Sequence, residues 1–393
     1  MCCANAGIKV FVLDIDEKQL KRGMALIDAN YKRSRSMSAA EKAAARALLT
    51  PTTSYEDLKD CDLVVEAVFE DLSVKKKIFQ TLDQVCKPEA FLCSNTSALD
   101  IDIIADQLKN PSRCMGTHFF SPANVMKLLE NVRAARTSDE CVASMMAWGK
   151  KIGKWVILVG NCEGFVGNRM VGFYGGQARV MVEEGLYPEQ VDAAATNFGM
   201  RIGPLSMSDL VGLDLGAGAM KKAGRWEPQK VLQHALVDAG RLGQKASAGF
   251  YDYDGQRNQK SSAQVHKMID DMFGSKRRSI GEEEAQNRLF FPMINEGFHI
   301  LEGGFARRPA DIDVCYIHGY NFPRYRGGPM HHADAMGLPA VKKTLEQIGV
   351  KVAPLLNKCI DAKMSLSQYW SKHGKEILAR AGPPVRRRPR SRM

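Results

Sequence analysis

The sequence predicts an α/β protein: a doubly wound parallel sheet followed by an all-α region of two repeated helical units. Three observations predict it. Short β-branched runs alternate with amphipathic stretches up to about residue 161. Beyond that point the strand signal fades and helical periodicity takes over. Within the helical part, a series of small and polar markers recurs in one order.

Residues 3–7 (CANAG) read as the tail of a helix, 8–14 (IKVFVLD) as a buried strand and 17–31 as a helix. Strands follow over 63–68, 91–94, 114–119 and 155–159. They alternate with helices over 72–85, 101–108 and around 144–151. In the helical part, Asn168-Arg169 recurs as Asn287-Arg288, and PEQVD at 188–192 as PADID at 309–313. Gly203-Pro204 recurs as Gly328-Pro329, and Asp209 and Gly212 are matched by Asp334 and Gly337. The expected divisions are residues 1–161, 162–255 and 280–378, with a polar connection between the helical units. The Pro- and Arg-rich residues 379–393 are expected to be a disordered tail.

Bulk composition narrows the function. The chain has 393 residues, 45% hydrophobic and 25% charged, the balance of a soluble protein. No run of about 18 apolar residues is present, so no membrane span is expected. The first residues lack the basic-then-apolar order of a secretory signal. Ten cysteines are scattered without CxxC or Cys/His metal spacing, which points to free thiols and no metal. Five of the eleven net positive charges are Arg386, Arg387, Arg388, Arg390 and Arg392. The remainder is a modest excess without aromatic-basic interleaving, so nucleic acid is not the expected partner. A polyanion such as acyl-CoA suits such a surface. Lys32, Arg33 and Arg35 either meet its phosphates or form a solvated basic face.

A Rossmann-type domain places a glycine turn after its first strand and an acid at the end of its second. Asp14 closes IKVFVLD, where a carboxylate accepts hydrogen bonds from ribose hydroxyls and repels a 2′-phosphate, favouring NAD over NADP. The GxGxxG fingerprint does not appear. The domain is therefore expected to be N-terminally truncated, lacking its first strand and the helix N-terminus that seats a pyrophosphate.

Further along, SNTS (94–97) and GTHFFSP (116–122) stand in the company of VVEAVFEDLSVKKKIF (64–79), VMKLLE (125–130) and EGFVGNRM (163–170). GPLSMSDLVGLD (203–214) and GRLGQKASAGFYDYD (240–254) complete the series. In these motifs the chain resembles the 3-hydroxyacyl-CoA dehydrogenase family. HGYNFPRYRGGPM (318–330) makes its second helical unit most similar to the peroxisomal branch, in which the dehydrogenase is joined to an enoyl-CoA hydratase.

The resemblance implies NAD-dependent oxidation of a (3S)-3-hydroxyacyl-CoA to the 3-oxoacyl-CoA in fatty-acid β-oxidation. Oxidising a secondary alcohol removes a hydride from carbon and a proton from oxygen, and a base of near-neutral pKa suits the proton. The resemblance assigns that base to His118 and its partner to Glu130. It gives Ser97 and Asn168 to catalysis and the substrate's oxygens, and Asp14, Glu70, Lys75, Ser97, Ser121 and Lys245 to NAD. Ser121 stands where the family usually has Asn, and reads as a marker of the peroxisomal branch. The two helical units imply an intrachain substitute for a dimer contact, hence a monomer. The ending Ser391-Arg392-Met393 fits the peroxisomal address read by an import receptor. Cytoplasm and mitochondrial matrix are the other locations in view. Two other functions stand beside the leading one: a catalytically impaired remnant or interaction module, and a related NAD-dependent hydroxy-acid dehydrogenase.

Overall fold

The structure, a computed structural model, describes residues 1–381. It divides into two compact units. Of the described residues, the first holds 1–168, 300–320 and 370–381; the second holds 169–299 and 321–369. The first unit's leading segment ends at residue 168, near the boundary expected after residue 161, and later segments of the chain return to it.

Seven strands belong to the first unit: β1 (Val10–Leu13), β2 (Leu49–Thr52), β3 (Leu63–Glu66), β4 (Phe91–Ser94), β5 (Cys114–Phe119), β6 (Leu128–Arg133) and β7 (Trp155–Gly160). They form two sheets. β1 and β2 pair in parallel, and β3-β4-β5-β6-β7 form a five-stranded sheet in chain order. No ladder joins β1 to β3 among the described residues. The alternation read from the sequence is thus present as strands followed by helices at Glu17–Arg33, Leu72–Val85, Ile101–Ala105 and Asp139–Lys151. Acidic or hydroxyl side chains start these helices: Asp16, Asp71, Asp100 and Ser138 each accept backbone N–H groups of the first turn. The chain starts with a short helix, Cys2–Asn5, before β1.

Two features depart from the expected parallel sheet. The helix Ala39–Ala47 and strand β2 were not anticipated; β2 carries Pro51, which an edge strand tolerates. More important, β6 runs antiparallel to β5. The connection is residues 120–127, shorter than a parallel crossover needs, and a short loop can only return the chain alongside itself.

The helical part begins with Gly167–Glu183. The recurring sequence markers fall at equivalent structural places. Helices Pro188–Phe198 and Pro309–Gly319 each have proline in the first turn, as do Pro204–Val211 and Pro329–Met336. The latter two end on Gly212 (φ 105°, ψ 123°) and Gly337 (φ 87°, ψ 123°), a conformation side-chain-bearing residues rarely adopt. Asp209 accepts from the backbone N–H groups of Phe250 and Tyr251, and Asp334 from those of Leu366 and Ser367. Each aspartate therefore ties its helix to a later segment.

The polar connection expected between the helical units is ordered in part. It holds β9 (Gln259–Ser261), which pairs antiparallel with β8 (Tyr251–Tyr253) just before it, and the helix Ala263–Phe273, whose Val265, Ile269 and Phe273 are buried. The last helix, Leu366–Ala381, covers the first residues of the expected tail; the rest of that tail and Ser391-Arg392-Met393 lie outside the described residues. No helix among the described residues is long and apolar enough to cross a membrane.

In the second unit, His332 packs on Phe198 and Phe322 (ring centroids 5.4 and 6.4 Å). Burial, then the charge of Arg326 and the neighbouring His331, holds its imidazole down at about 4, so it is neutral at pH 7. The unfolded chain binds a proton there below about 6.5, the folded chain only near 4, so stability should fall as pH drops through that window. One such site gives a slope of at most about 1.4 kcal/mol per pH unit. Replacing His332 by Phe should make the melting temperature less acid-sensitive between pH 6.5 and 4, leaving the difference from wild type constant above pH 7. Parallel melting curves across the whole range would contradict this.

Candidate functional site

The β5–β6 ladder places His118 directly opposite Glu130. Facing residues of an antiparallel pair project on the same side of the sheet, so the ladder itself brings the two together. Nδ1 of His118 lies 2.7 Å from Oε2 of Glu130. A carboxylate only accepts, so Nδ1 carries the proton and Nε2 is left as the acceptor.

Glu130 is fully buried, yet its oxygens are satisfied. Oε1 accepts from the backbone N–H of Gly167 (3.0 Å) and Val166 (3.3 Å), at the start of the helix Gly167–Glu183. The Cys315 thiol approaches the same oxygen at 3.9 Å. The N-terminal end of a helix favours negative charge, and these donors offset the cost of burying it. The His118 ring packs against Phe120 and Phe165, with centroids at 4.7 and 5.8 Å. Only 7% of the residue is exposed.

The SNTS segment joins this dyad to β3. Asn95 Oδ1 accepts the Phe119 N–H (2.8 Å), fixing the end of β5. Glu70 Oε1 accepts from Thr96 Oγ1 (2.5 Å), the Ser97 N–H (2.9 Å) and Ser97 Oγ (3.3 Å). Burial alone would raise the Glu70 carboxyl, but bonds from Thr96 and Ser97 and the Lys75 charge outweigh it and hold it below its ordinary value. Asn168 Nδ2 donates to the Ser97 carbonyl (3.3 Å). Ser97, Asn168, His118 and Glu130 therefore belong to one connected site.

The cofactor candidates are placed less uniformly. Asp14 follows β1, half-buried, with Oδ1 on the Asp16 N–H at 2.9 Å. Ser121 is exposed just past β5. Lys245 belongs to the second unit, where it pairs with Asp214 at 2.5 Å. Lys75, which the resemblance gives to NAD, is 1% exposed, with its ammonium 2.7 Å from Glu66 Oε1 and 3.4 Å from Glu70 Oε2. Glu66, in turn, accepts from Ser94 Oγ and the Val68 N–H. Lys75 is thus an anchor of Glu70. Glu66, within VVEAV, was missed in the sequence. A carboxylate in an apolar strand nine residues before a lysine was the available signal.

The donor set fits part of a dinucleotide. Asp14 and Glu70 can accept from ribose hydroxyls, whereas the sequence supplies no glycine-rich strand–helix turn for the pyrophosphate.

Residues 1–162 match the NAD binding domain of 3-hydroxyacyl-CoA dehydrogenase, and residues 164–253 and 285–376 match its C-terminal domain. The chain belongs to the 3-hydroxyacyl-CoA dehydrogenase family. This is a family of NAD-dependent oxidoreductases, and the chain carries both of its domains. It is 40% identical to the peroxisomal bifunctional enzyme of Danio rerio over 95% of this chain and 56% of that protein. Against the peroxisomal bifunctional enzyme of Homo sapiens the identity is 40% over 88% of this chain and 50% of that one. The chain spans about half the length of these relatives. Among solved structures, it superposes on the dehydrogenase part of multifunctional enzyme 1 from C. elegans with a TM-score of 0.64. That pair is 30% identical, over 91% of this chain and 85% of the other. For 3-hydroxybutyryl-CoA dehydrogenase from Escherichia coli the TM-score is 0.76 at 25% identity, over 91% and 94%. The parallel-rich α/β part, followed by a helical region, is the Rossmann-type fold of this family.

The buried Glu66–Lys75 pair yields a stability prediction. Replacing Lys75 by Met leaves Glu66 charged and buried without its cation, which should cost about 3–5 kcal/mol. Adding Glu66→Gln should recover part of that loss. Urea unfolding of the three proteins measures it, and a single-variant loss below about 1 kcal/mol would show that the ammonium is not needed there.

Proposed function

We propose that this chain oxidises (3S)-3-hydroxyacyl-CoA to 3-oxoacyl-CoA with NAD, as a step of fatty-acid β-oxidation. The observation that carries the proposal is the buried His118–Glu130 pair, which leaves Nε2 of His118 as a base of fixed orientation. Nε2 takes the proton of the 3-hydroxyl, and Glu130 offsets the positive charge that then develops on the imidazole. The Ser97 hydroxyl and the Asn168 amide bind the substrate's oxygens and set its pose. Bound NAD supplies the hydride acceptor. Asp14, Glu70, Ser97 and Ser121 are the cofactor contacts of the first unit, with Lys75 acting through Glu70; Lys245, in the second unit, is a cofactor candidate by the family resemblance alone.

The substrate class rests on family membership and on the relatives' β-oxidation names, among them a glyoxysomal fatty acid β-oxidation multifunctional protein of Cucumis sativus. The same names, with Ser391-Arg392-Met393, support a peroxisomal location and an import receptor as partner. The paired helical units support a monomer.

One observation favours a second reading, in which the chain keeps the dyad but holds NAD weakly. Among the described residues β1 and β3 share no ladder, so the strand bearing Asp14 and the strand preceding Glu70 are not joined in one sheet. NADH fluorescence titration should then give a dissociation constant above about 1 mM, short of about 4 kcal/mol of binding. Micromolar binding would discard this second reading.

The test of the main reading follows NADH formation from (3S)-hydroxybutyryl-CoA at saturating NAD. His118→Gln should lower kcat by at least about 10²-fold. Because Glu130 works through His118, the double variant with Glu130→Gln should be little worse than His118→Gln alone. A fall below about fivefold in the single variant would remove His118 from the role of base, and multiplied losses in the double variant would separate Glu130 from it.

A further inference from the structure

Asn168 is held from two sides within the first unit. Its Nδ2 donates to the Ser97 carbonyl at 3.3 Å, and its Oδ1 lies 2.7 Å from the Tyr320 hydroxyl. The chemistry of these partners decides which way the amide faces. A carbonyl oxygen only accepts, so the nitrogen of Asn168 must face Ser97. The oxygen then faces Tyr320, whose hydroxyl must donate. One N–H of the Asn168 amide has no partner among the described residues. The site thus presents a hydrogen-bond donor of fixed direction.

Tyr320 is itself clamped. It follows the helix Pro309–Gly319 and stacks on Tyr316 (4.9 Å between centroids, 22° between planes). The Tyr316 hydroxyl donates to the Gly167 carbonyl at 3.2 Å. Phe120 meets the Tyr320 ring edge-on at 5.4 Å, and the same Phe120 packs on His118. A Cβ at position 167 would lie 2.7 Å from the Tyr320 ring, so only glycine admits it. Burial, reinforced by Tyr316, Glu130 and Cys315, pushes the Tyr320 phenol well above its ordinary value. The hydroxyl therefore keeps its proton across the working pH range.

We propose that Tyr320 is a positioning residue of the dehydrogenase site: it fixes the Asn168 amide so that its free N–H points at the substrate's oxygen. The proposal rests on the reading of Asn168 as a substrate contact. It extends the site into the helical element 309–319, whose Cys315 also touches Glu130. One side of that element thus bears on both halves of the site, the base through Glu130 and the donor through Asn168. Without the Tyr320 hydroxyl the amide is free to rotate, and the oriented donor is lost mainly where alignment counts, in the transition state.

Tyr320→Phe keeps the ring and removes only the hydroxyl. With (3S)-hydroxybutyryl-CoA and saturating NAD, kcat should fall about tenfold with KM changed less than about twofold, the scale of one oriented hydrogen bond. In an Asn168→Ala background the same substitution should have no further effect. Equal losses in both backgrounds would overturn the proposal, because a general structural defect does not depend on Asn168. A second measurement needs no turnover. In protein labelled with ¹⁵N-asparagine, the Asn168 side-chain NH₂ pair is identified by its loss in Asn168→Ala. It should shift and broaden in Tyr320→Phe, and an unchanged pair would overturn the proposal. If the wild-type chain oxidises no 3-hydroxyacyl-CoA, the reading of its function fails, while the amide spectrum still decides whether Tyr320 holds Asn168.

Discussion

The arrangement of the site depends on one buried hydrogen bond, that between Nδ1 of His118 and Oε2 of Glu130. A carboxylate with no exposed surface is stable only if its lone pairs are filled, and the surrounding backbone is shaped to fill them. The antiparallel turn of β6 sets Glu130 opposite His118, and Val166 and Gly167, at the start of the helix Gly167–Glu183, supply two N–H donors. That helix start also carries Asn168, next to the donor of Gly167. The Glu130 carboxylate and the Asn168 amide, the groups proposed to offset the base's charge and to meet the substrate, are therefore fixed by the same backbone segment.

A second carboxylate cluster braces the neighbouring turn, where the proposed cofactor contacts lie. Glu66 and Glu70 share the Lys75 ammonium, and Glu70 in turn orders the turn containing Thr96 and Ser97. Asn95, in the same turn, holds the end of β5. Residues far apart in sequence thus meet at the C-terminal ends of β3, β4 and β5, the place where open α/β sheets bind their ligands. The repeated aspartates of the helical part, Asp209 and Asp334, do comparable work away from the chemistry: each draws a later segment onto its helix through two backbone N–H groups.

Much of this was legible in the sequence because local signals and tertiary structure agree. The strands at 91–94 and 114–119 and the helix at 72–85 lie where their β-branched runs and amphipathic spacing put them. His118, Glu130, Ser97 and Asn168 could be picked out through their motifs, and the structure joins them. What was missed depends on contacts the chain's local pattern does not encode. β2 is four residues with a proline, supported mainly by pairing with β1. The antiparallel sense of β6 follows from loop length, not from composition. The hairpin β8–β9 hides in polar sequence because β9 is exposed along its whole length. Lys75 is read from its motif as a cofactor contact, and its pairing with Glu66 is not visible there because it depends on a residue from another element. Tyr320 lies in the motif 318–330, but nothing local marks its hydroxyl, which finds Asn168 only once the helix 309–319 packs near the start of the helix Gly167–Glu183.

The central claim is that Glu130 fixes His118 as the Nδ1–H tautomer with Nε2 free to take a proton. Long-range ¹H–¹⁵N correlation of ¹⁵N-histidine-labelled protein at pH 8, with His118 assigned through His118→Gln, reads the tautomer directly. The account predicts a protonated Nδ1 and an unprotonated Nε2 for His118, lost in favour of a mixed population when Glu130 is replaced by Gln. A His118 signal with the proton on Nε2 in the wild-type protein would contradict it.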